Sequence, residues 1–210
     1  DWRTRNFEFG IVDIPNAAYT NAAHRNGVKS IGTIYFDPAF RPGLTFAEAF
    51  DKDPNSEGYI IAEKLVEMAR YFGFDGYFLN EEEGNLRDPR FKPFMSYLTS
   101  KGLYTQWYTN SSGSFSTSKS NLLDHGKIMD SVFLNYTWPG SQDQSVVAAR
   151  ASGYDPHKSL FFGVEANQAR FDGKHPSASR LPSLYKSVED HSPKASVALF
   201  TPSDMYQRGL

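Results

Sequence analysis

Asp75 to Glu83 reads DGYFLNEEE, an apolar run that ends in an amide and three carboxylates. Read as a strand, its side chains alternate between two faces, so Gly76, Phe78, Asn80 and Glu82 share one of them. An acid two residues beyond an amide can divide labour. Glu82 can give a proton to a leaving group and take one back from water, while Asn80 orients a substrate group through its carbonyl and amino ends. Glu81 and Glu83 flank Glu82, and like charges nearby raise a carboxyl pKa, which suits a proton donor near neutral pH. Three adjacent glutamates in an arbitrary sequence more often form a solvated acidic loop. A position directly after an apolar strand favours the functional reading, because ligands of α/β folds collect at strand ends.

The elements that must position this segment alternate along the chain. A helix is expected over Ala17 to Arg25, closed by Asn26-Gly27, and a strand over Val28 to Phe36. Ser56 to Phe72 places Ile61, Leu65, Met68 and Phe72 on one helical face and stops at Gly73. Phe74 to Asn80 is a short buried strand. Asp88-Pro89 is a helix start leading to Phe91, Phe94, Met95 and Leu98, with a stop at Gly102. Strands follow at Leu103 to Thr109, Ser131 to Thr137, Leu160 to Ala166 and Ala195 to Thr201. Helices are expected over Gln144 to Ser152 and, more weakly, Leu181 to Val188. Asn110 to Ser120 has no apolar period and reads as a Ser/Thr-rich surface loop running into a short helix, and Phe7 to Ile14 is a candidate further strand. Repeated βα units of this length predict an α/β chain built as a (β/α)8 TIM barrel. At 210 residues, against ~250 for that fold, the barrel is expected to be incomplete, short of a first strand and a last βα unit. An open doubly wound sheet is the rival, but no glycine-rich phosphate loop follows any strand. Residues 1–210 are expected to form one catalytic domain of a larger enzyme.

Composition narrows the partner. The formal net charge is −2, which gives no pull toward nucleic acid or anionic membrane, and no apolar run approaches the ~18 residues of a membrane span. There is no cysteine, hence no disulfide, thiolate metal site or thiol nucleophile, and the five histidines show no paired metal spacing. No cofactor is expected. Aromatic residues make up 15% of the chain, and without a basic excess their flat faces point to sugar rather than bases.

Several stretches together resemble one family. DGYFLNEE has the spacing of the DGxDxDxE strand of family 18 chitinases, with Phe78 and Asn80 at the aspartate positions and Glu82 at the catalytic glutamate. An Asn two residues before the acid is the mark of the family 85 endo-β-N-acetylglucosaminidases of bacterial type. NAAHRNGVKSIGTIYFDP (Asn21 to Pro38), FGFDGYFLN, WYTN (Trp107 to Asn110), FLNYTW (Phe133 to Trp138) and SVALFTPSDMYQ (Ser196 to Gln207) are similar to further blocks of that family, in order along the chain. Two departures stand out. Thr109 occupies a position where the family usually has Asp, and the last block lacks the usual Trp.

The resemblance implies hydrolysis of the GlcNAc-β-1,4-GlcNAc core of N-linked glycans by substrate-assisted retention, with transglycosylation as a side reaction. It implies that Glu82 is the acid and base, that Asn80 holds the acetamido N–H, and that Tyr108 shapes the acetamido pocket. Trp138 and Trp107 would contact the sugars, and a secreted or cell-surface location is expected. Tyr108 and Trp138 each have a plain alternative as core aromatics. Asn135 is either a polar anchor for the sugar or a satisfied core amide. Glu165 either binds mannose hydroxyls or pairs an interior cation. His24, in a helix, is read as a packing or capping residue rather than a catalytic one. Two other functions remain open: a family 18-like chitinase, against which Asn80 speaks, and a non-catalytic glycan-binding lectin on a barrel scaffold.

Overall fold

The computed structural model describes residues 16–36, 49–81, 87–110, 112–165, 181–185 and 192–200, with the backbone alone at Phe36 and Glu165. Glu82, Glu83 and the candidate strand Phe7 to Ile14 lie outside the described residues. The chain divides into two compact units, one from Asp1–Trp107 with Gly126–Asp130, the other from Tyr108–His125 with Ser131–Leu210.

The first unit contains α1 (Ala17–Arg25), β1 (Ile31–Phe36), α2 (Ile60–Phe72), β2 (Gly76–Glu81), α3 (Phe91–Ser100) and most of β3 (Tyr104–Tyr108). Its strands are parallel and neighbour one another in chain order, with Ile31 opposite Gly76, Phe36 opposite Glu81 and Leu79 opposite Trp107. The termini follow local chemistry. Asn16 caps α1 by accepting from the Ala18 and Tyr19 amides, and α2 ends at Gly73, whose φ of 76° lets its N–H reach back to Ala69. Ala62, Leu65, Val66 and Ala69 of α2 and Phe91, Phe94, Met95 and Leu98 of α3 are buried at helical spacing. Tyr77, Phe78 and Leu79 are buried in succession, as in a strand covered on both faces. Gly76 is needed for contact: a Cβ there would lie 1.9 Å from the Tyr104 carbonyl oxygen.

The second unit contains β4 (Ser131–Leu134), α4 (Gln142–Ala151), α5 (Pro156–Ser159), β5 (Leu160–Glu165) and β6 (Ser196–Phe200), its strands again parallel and in chain order. Gly163 of β5 admits the Phe133 ring, which an added Cβ would meet at 2.1 Å.

Both units are thus α/β with parallel strands separated by helices. Several boundaries differ from the sequence expectation for physical reasons. The strand expected to run to Thr137 ends at Leu134, because the Asn135 N–H turns to the Thr109 hydroxyl and the Trp138 N–H closes on the Asn135 carbonyl. The helix expected from Ser56 starts at Ile60, because Gly58 bonds the Ser56 hydroxyl and Tyr59 bridges Lys52. Asp88-Pro89 makes a turn rather than the first helical turn, with the Asp88 carboxylate taking both the Arg90 amide and guanidinium. The weak helix at Leu181 is a single 3-10 turn to Leu184. Helix α5 was not expected; Asp155 caps it and Pro156 opens it.

Candidate active site

Which face of β2 carries Asn80 is settled by a tyrosine. The Tyr77 hydroxyl, buried beneath α2, donates to the Leu65 carbonyl at 2.7 Å, and burial pushes this phenol's pKa well up. Tyr77, Leu79 and Glu81 therefore face the helix, and Gly76, Phe78 and Asn80 face away from it. Glu81 is 3% exposed, a buried carboxylate rather than part of a solvated acidic loop.

Asn80 stands near the C-terminal end of β2 with a distinctive polarity. Its Oδ1 is buried and has no hydrogen-bond partner among the described residues. A buried acceptor left unpaired costs ~1–3 kcal/mol, so it persists where something else donates to it.

Trp107 takes the other face. Thr105, two residues before it, bonds the Thr99 hydroxyl of α3 at 2.9 Å, and Trp107 pairs with Leu79 on the helix side of β2. The indole is 6% exposed, with its N–H buried and unpaired among the described residues. The expected contact of Trp107 with substrate finds no support in this placement: the indole is buried on the face opposite the one that Asn80 takes in the neighbouring strand.

In the second unit the structure brings Tyr108 and Asn135 together. The Asn135 side-chain amide donates to the Tyr108 hydroxyl at 2.7 Å and also to the Asn110 carbonyl. Its Oδ1 accepts from the Thr137 N–H at 3.0 Å, and its backbone N–H donates to the Thr109 hydroxyl at 3.0 Å. Tyr108 packs edge-on against Phe133 at 5.7 Å. Thr109, at the position of the family's Asp, is buried; its hydroxyl links Asn135 to the Ser112 carbonyl.

The loop after β3 is more ordered chemically than its composition suggested. Phe115 is buried and its N–H donates to the Ser145 hydroxyl, the Gly113 carbonyl accepts from Ser141, and Lys119 Nζ donates to the Ser112 hydroxyl and the Ser114 carbonyl. Partial burial lowers the Lys119 pKa. Sequence reading missed Thr109, Ser112 and Lys119 as a supporting network. The departure at Thr109 was the one available signal.

Trp138, expected as an aromatic wall beside the sugars, is fully buried. Its indole N–H donates to the Gly163 carbonyl at 2.8 Å and its ring packs on Phe162 at 5.1 Å. It is a core residue of the second unit, and its one donor is already used. Glu165 ends β5, and its side chain lies outside the described atoms. His24 bonds Asp75 at 2.9 Å, and Asp75 also accepts the Ser30 N–H, at the opposite end of β2 from Asn80. Among the described residues no helix is long and apolar enough to cross a membrane.

Comparison with known proteins places these residues in a family. The chain is 28% identical to cytosolic endo-beta-N-acetylglucosaminidase 1 of Arabidopsis thaliana, over 96% of this chain and 30% of that protein. It is 30% identical to the cytosolic endo-beta-N-acetylglucosaminidase of Danio rerio, over 96% and 29%, and 33% identical to that of Mus musculus, over 68% and 21%. In three dimensions it resembles the Spr0440 glycoside hydrolase domain, Endo-D, of Streptococcus pneumoniae R6, with a TM-score of 0.67 and 25% identity over 96% of this chain and 34% of that one. The chain thus spans between about a fifth and a third of the length of these proteins. These curated relatives are named as cytosolic enzymes, which overturns the expectation of a secreted or cell-surface protein. The model of Glycosyl hydrolase family 85 matches residues 5–209, almost the whole chain, and the chain belongs to that family.

Proposed function

We propose that the protein is an endo-β-N-acetylglucosaminidase that cleaves the GlcNAc-β-1,4-GlcNAc core of N-linked glycans by substrate-assisted retention. The buried Asn80 Oδ1, which has no hydrogen-bond partner among the described residues, carries this reading, because the substrate's 2-acetamido N–H would supply a donor. Family membership and the names of the relatives support it. In this reading residues 1–210 belong to one incomplete (β/α)8 barrel domain, supported by the parallel βα units and the likeness to the Endo-D domain.

The steps balance without an enzymatic nucleophile. The acetamido carbonyl oxygen attacks the anomeric carbon, and the bond to the glycosidic oxygen breaks. Glu82 gives its proton to that oxygen, and Asn80 accepts the hydrogen bond of the N–H as positive charge grows on the closing oxazoline ring. Water then attacks the anomeric carbon while Glu82 takes its proton, and the ring opens to restore the acetamide. A sugar hydroxyl in place of water gives transglycosylation. Tyr108 would hydrogen-bond near the acetamido group, and Glu165 at the end of β5 would meet mannose hydroxyls.

The deciding experiment gives the protein and its Glu82→Gln variant a high-mannose glycopeptide, with mass readout. The expected result is a peptide bearing a single GlcNAc from the native protein, and a rate ~10² to 10⁴ lower from the variant. Cleavage of chitin oligomers alone would favour the chitinase, and binding without cleavage the lectin.

A further inference from the structure

We propose that Asn135 is a positioning residue that fixes the direction of the Tyr108 hydroxyl hydrogen, rather than a ligand of the sugar. The inference rests on the functional reading above for its kinetic consequence, but its structural part stands without it.

The orientation of the Asn135 amide is determined twice over. Its Oδ1 accepts from the Thr137 backbone N–H, which can only donate. Its Nδ2 faces the Asn110 carbonyl, which can only accept. Flipping the amide would oppose donor to donor at one end and acceptor to acceptor at the other. The second hydrogen of Nδ2 is then aimed at the Tyr108 oxygen at 2.7 Å, and the phenol must accept there. A phenol carries one hydrogen, so that hydrogen points away from Asn135. Tyr108 is thereby made a donor toward whatever lies on its other side.

The surroundings hold this arrangement in place. Asn110 sits at φ 51°, a left-handed conformation that asparagine tolerates better than most residues and that turns its carbonyl toward Asn135. The Thr109 hydroxyl accepts the Asn135 backbone N–H and donates to the Ser112 carbonyl. Lys119 donates to the Ser112 hydroxyl. In acetamido-assisted cleavage, a fixed donor beside the acetamido group would discriminate between its carbonyl oxygen and its N–H. The direction of the Tyr108 hydrogen therefore acts on catalysis through Tyr108, while Asn135 itself touches no substrate.

The test compares Asn135→Asp, Tyr108→Phe and the double variant. A carboxylate keeps the shape of Asn135 but cannot donate, so the Tyr108 hydrogen turns toward it. Each protein is assayed on a high-mannose glycopeptide, and each is labelled with ζ-13C tyrosine for NMR. The expected result for Asn135→Asp is a ten- to hundred-fold loss of kcat with KM within about two-fold. It should also move the Tyr108 ζ-carbon resonance and cost nothing further when added to Tyr108→Phe, which has no phenolic hydrogen to misdirect. A rise in KM with kcat preserved would make Asn135 a sugar ligand and overturn the proposal. So would losses that multiply in the double variant, or an unmoved Tyr108 resonance. If the native protein cleaves no glycopeptide, the functional reading fails, and the ζ-carbon shift alone still decides whether Asn135 sets the Tyr108 hydrogen bond.

Discussion

The Tyr77 hydroxyl donates to the Leu65 carbonyl at 2.7 Å, tying the middle of β2 to the body of α2. This bond has a consequence three residues along. With Tyr77 held against the helix, strand alternation places Asn80 on the opposite face, where its buried carbonyl oxygen has no partner among the described residues. Slippage of β2 by one residue would exchange Asn80 for Glu81 and bring a carboxylate to the site instead.

Tyr77→Phe keeps the ring and removes this bond. The expected cost is about 1 kcal/mol in urea unfolding, the net worth of one intramolecular hydrogen bond. The β2 register is expected to survive, because Leu79 and Phe78 still bury their side chains. Hydrolysis by the folded variant should therefore stay within a few-fold of native; a loss of several hundred-fold would mean that the hydroxyl itself sets the register.

How much of this was legible in the sequence differs by segment. The apolar run ahead of Asn80 announced a buried strand, and its two-residue period put Asn80 and Gly76 on one face, as the Tyr77 bond shows. The same period, applied to WYTN, puts Trp107 and Tyr108 on opposite faces of the strand they share. Trp138 was illegible for another reason. An indole just beyond a strand end has the same appearance in sequence whether it flanks a sugar or fills a core; only the Gly163 carbonyl that takes its N–H tells them apart. The loop Asn110 to Ser120 looked like solvent-facing polar chain. Its hydroxyls are instead spent on backbone groups, and such bonds leave no periodic trace.

The placement of Trp138 yields a sharp contrast. Trp138→Phe leaves a void and removes the indole N–H that the Gly163 carbonyl accepts. The expected loss is about 2–4 kcal/mol by chemical denaturation, the range for a truncated core aromatic that also loses a buried hydrogen bond. KM for glycopeptide should be nearly unchanged at temperatures where the variant is folded. A large rise in KM with unaltered stability would return Trp138 to the sugar.

Acid should weaken the tie between α2 and α3. The Tyr97 hydroxyl and Lys101 both donate to the Glu63 carboxylate, and these bonds lower its pKa below the usual glutamate value, while the Lys101 pKa is raised. A depressed carboxylate pKa stabilises the fold above the unfolded-state value of ~4.3, and that contribution disappears as pH falls through the lower folded-state value. The melting temperature of Glu63→Gln should lie below native at neutral pH, and the gap should close as pH drops below about 4. A gap that is constant with pH would show that the carboxylate charge contributes nothing.

Asn80, whose buried oxygen has no partner among the described residues, offers a test that separates catalysis from sugar binding. In substrate-assisted cleavage the acetamido group must be aligned and its developing charge relieved as the oxazoline closes, which an amide oxygen accepting the N–H bond can do. Asn80→Ala removes that acceptor and should cripple ring closure, so hydrolysis of a high-mannose glycopeptide is expected to fall by at least a hundred-fold. Given a preformed sugar oxazoline and a GlcNAc acceptor, the same variant should still make the transfer product, because the step that needs Asn80 is complete and Glu82 remains as base. Removing a buried acceptor that has no partner among the described residues also predicts a stability change far smaller than for a bonded asparagine, so thermal melting accompanies the two assays. Equal loss of hydrolysis and transfer with a lowered melting temperature would make Asn80 structural. Unchanged hydrolysis would remove it from the site.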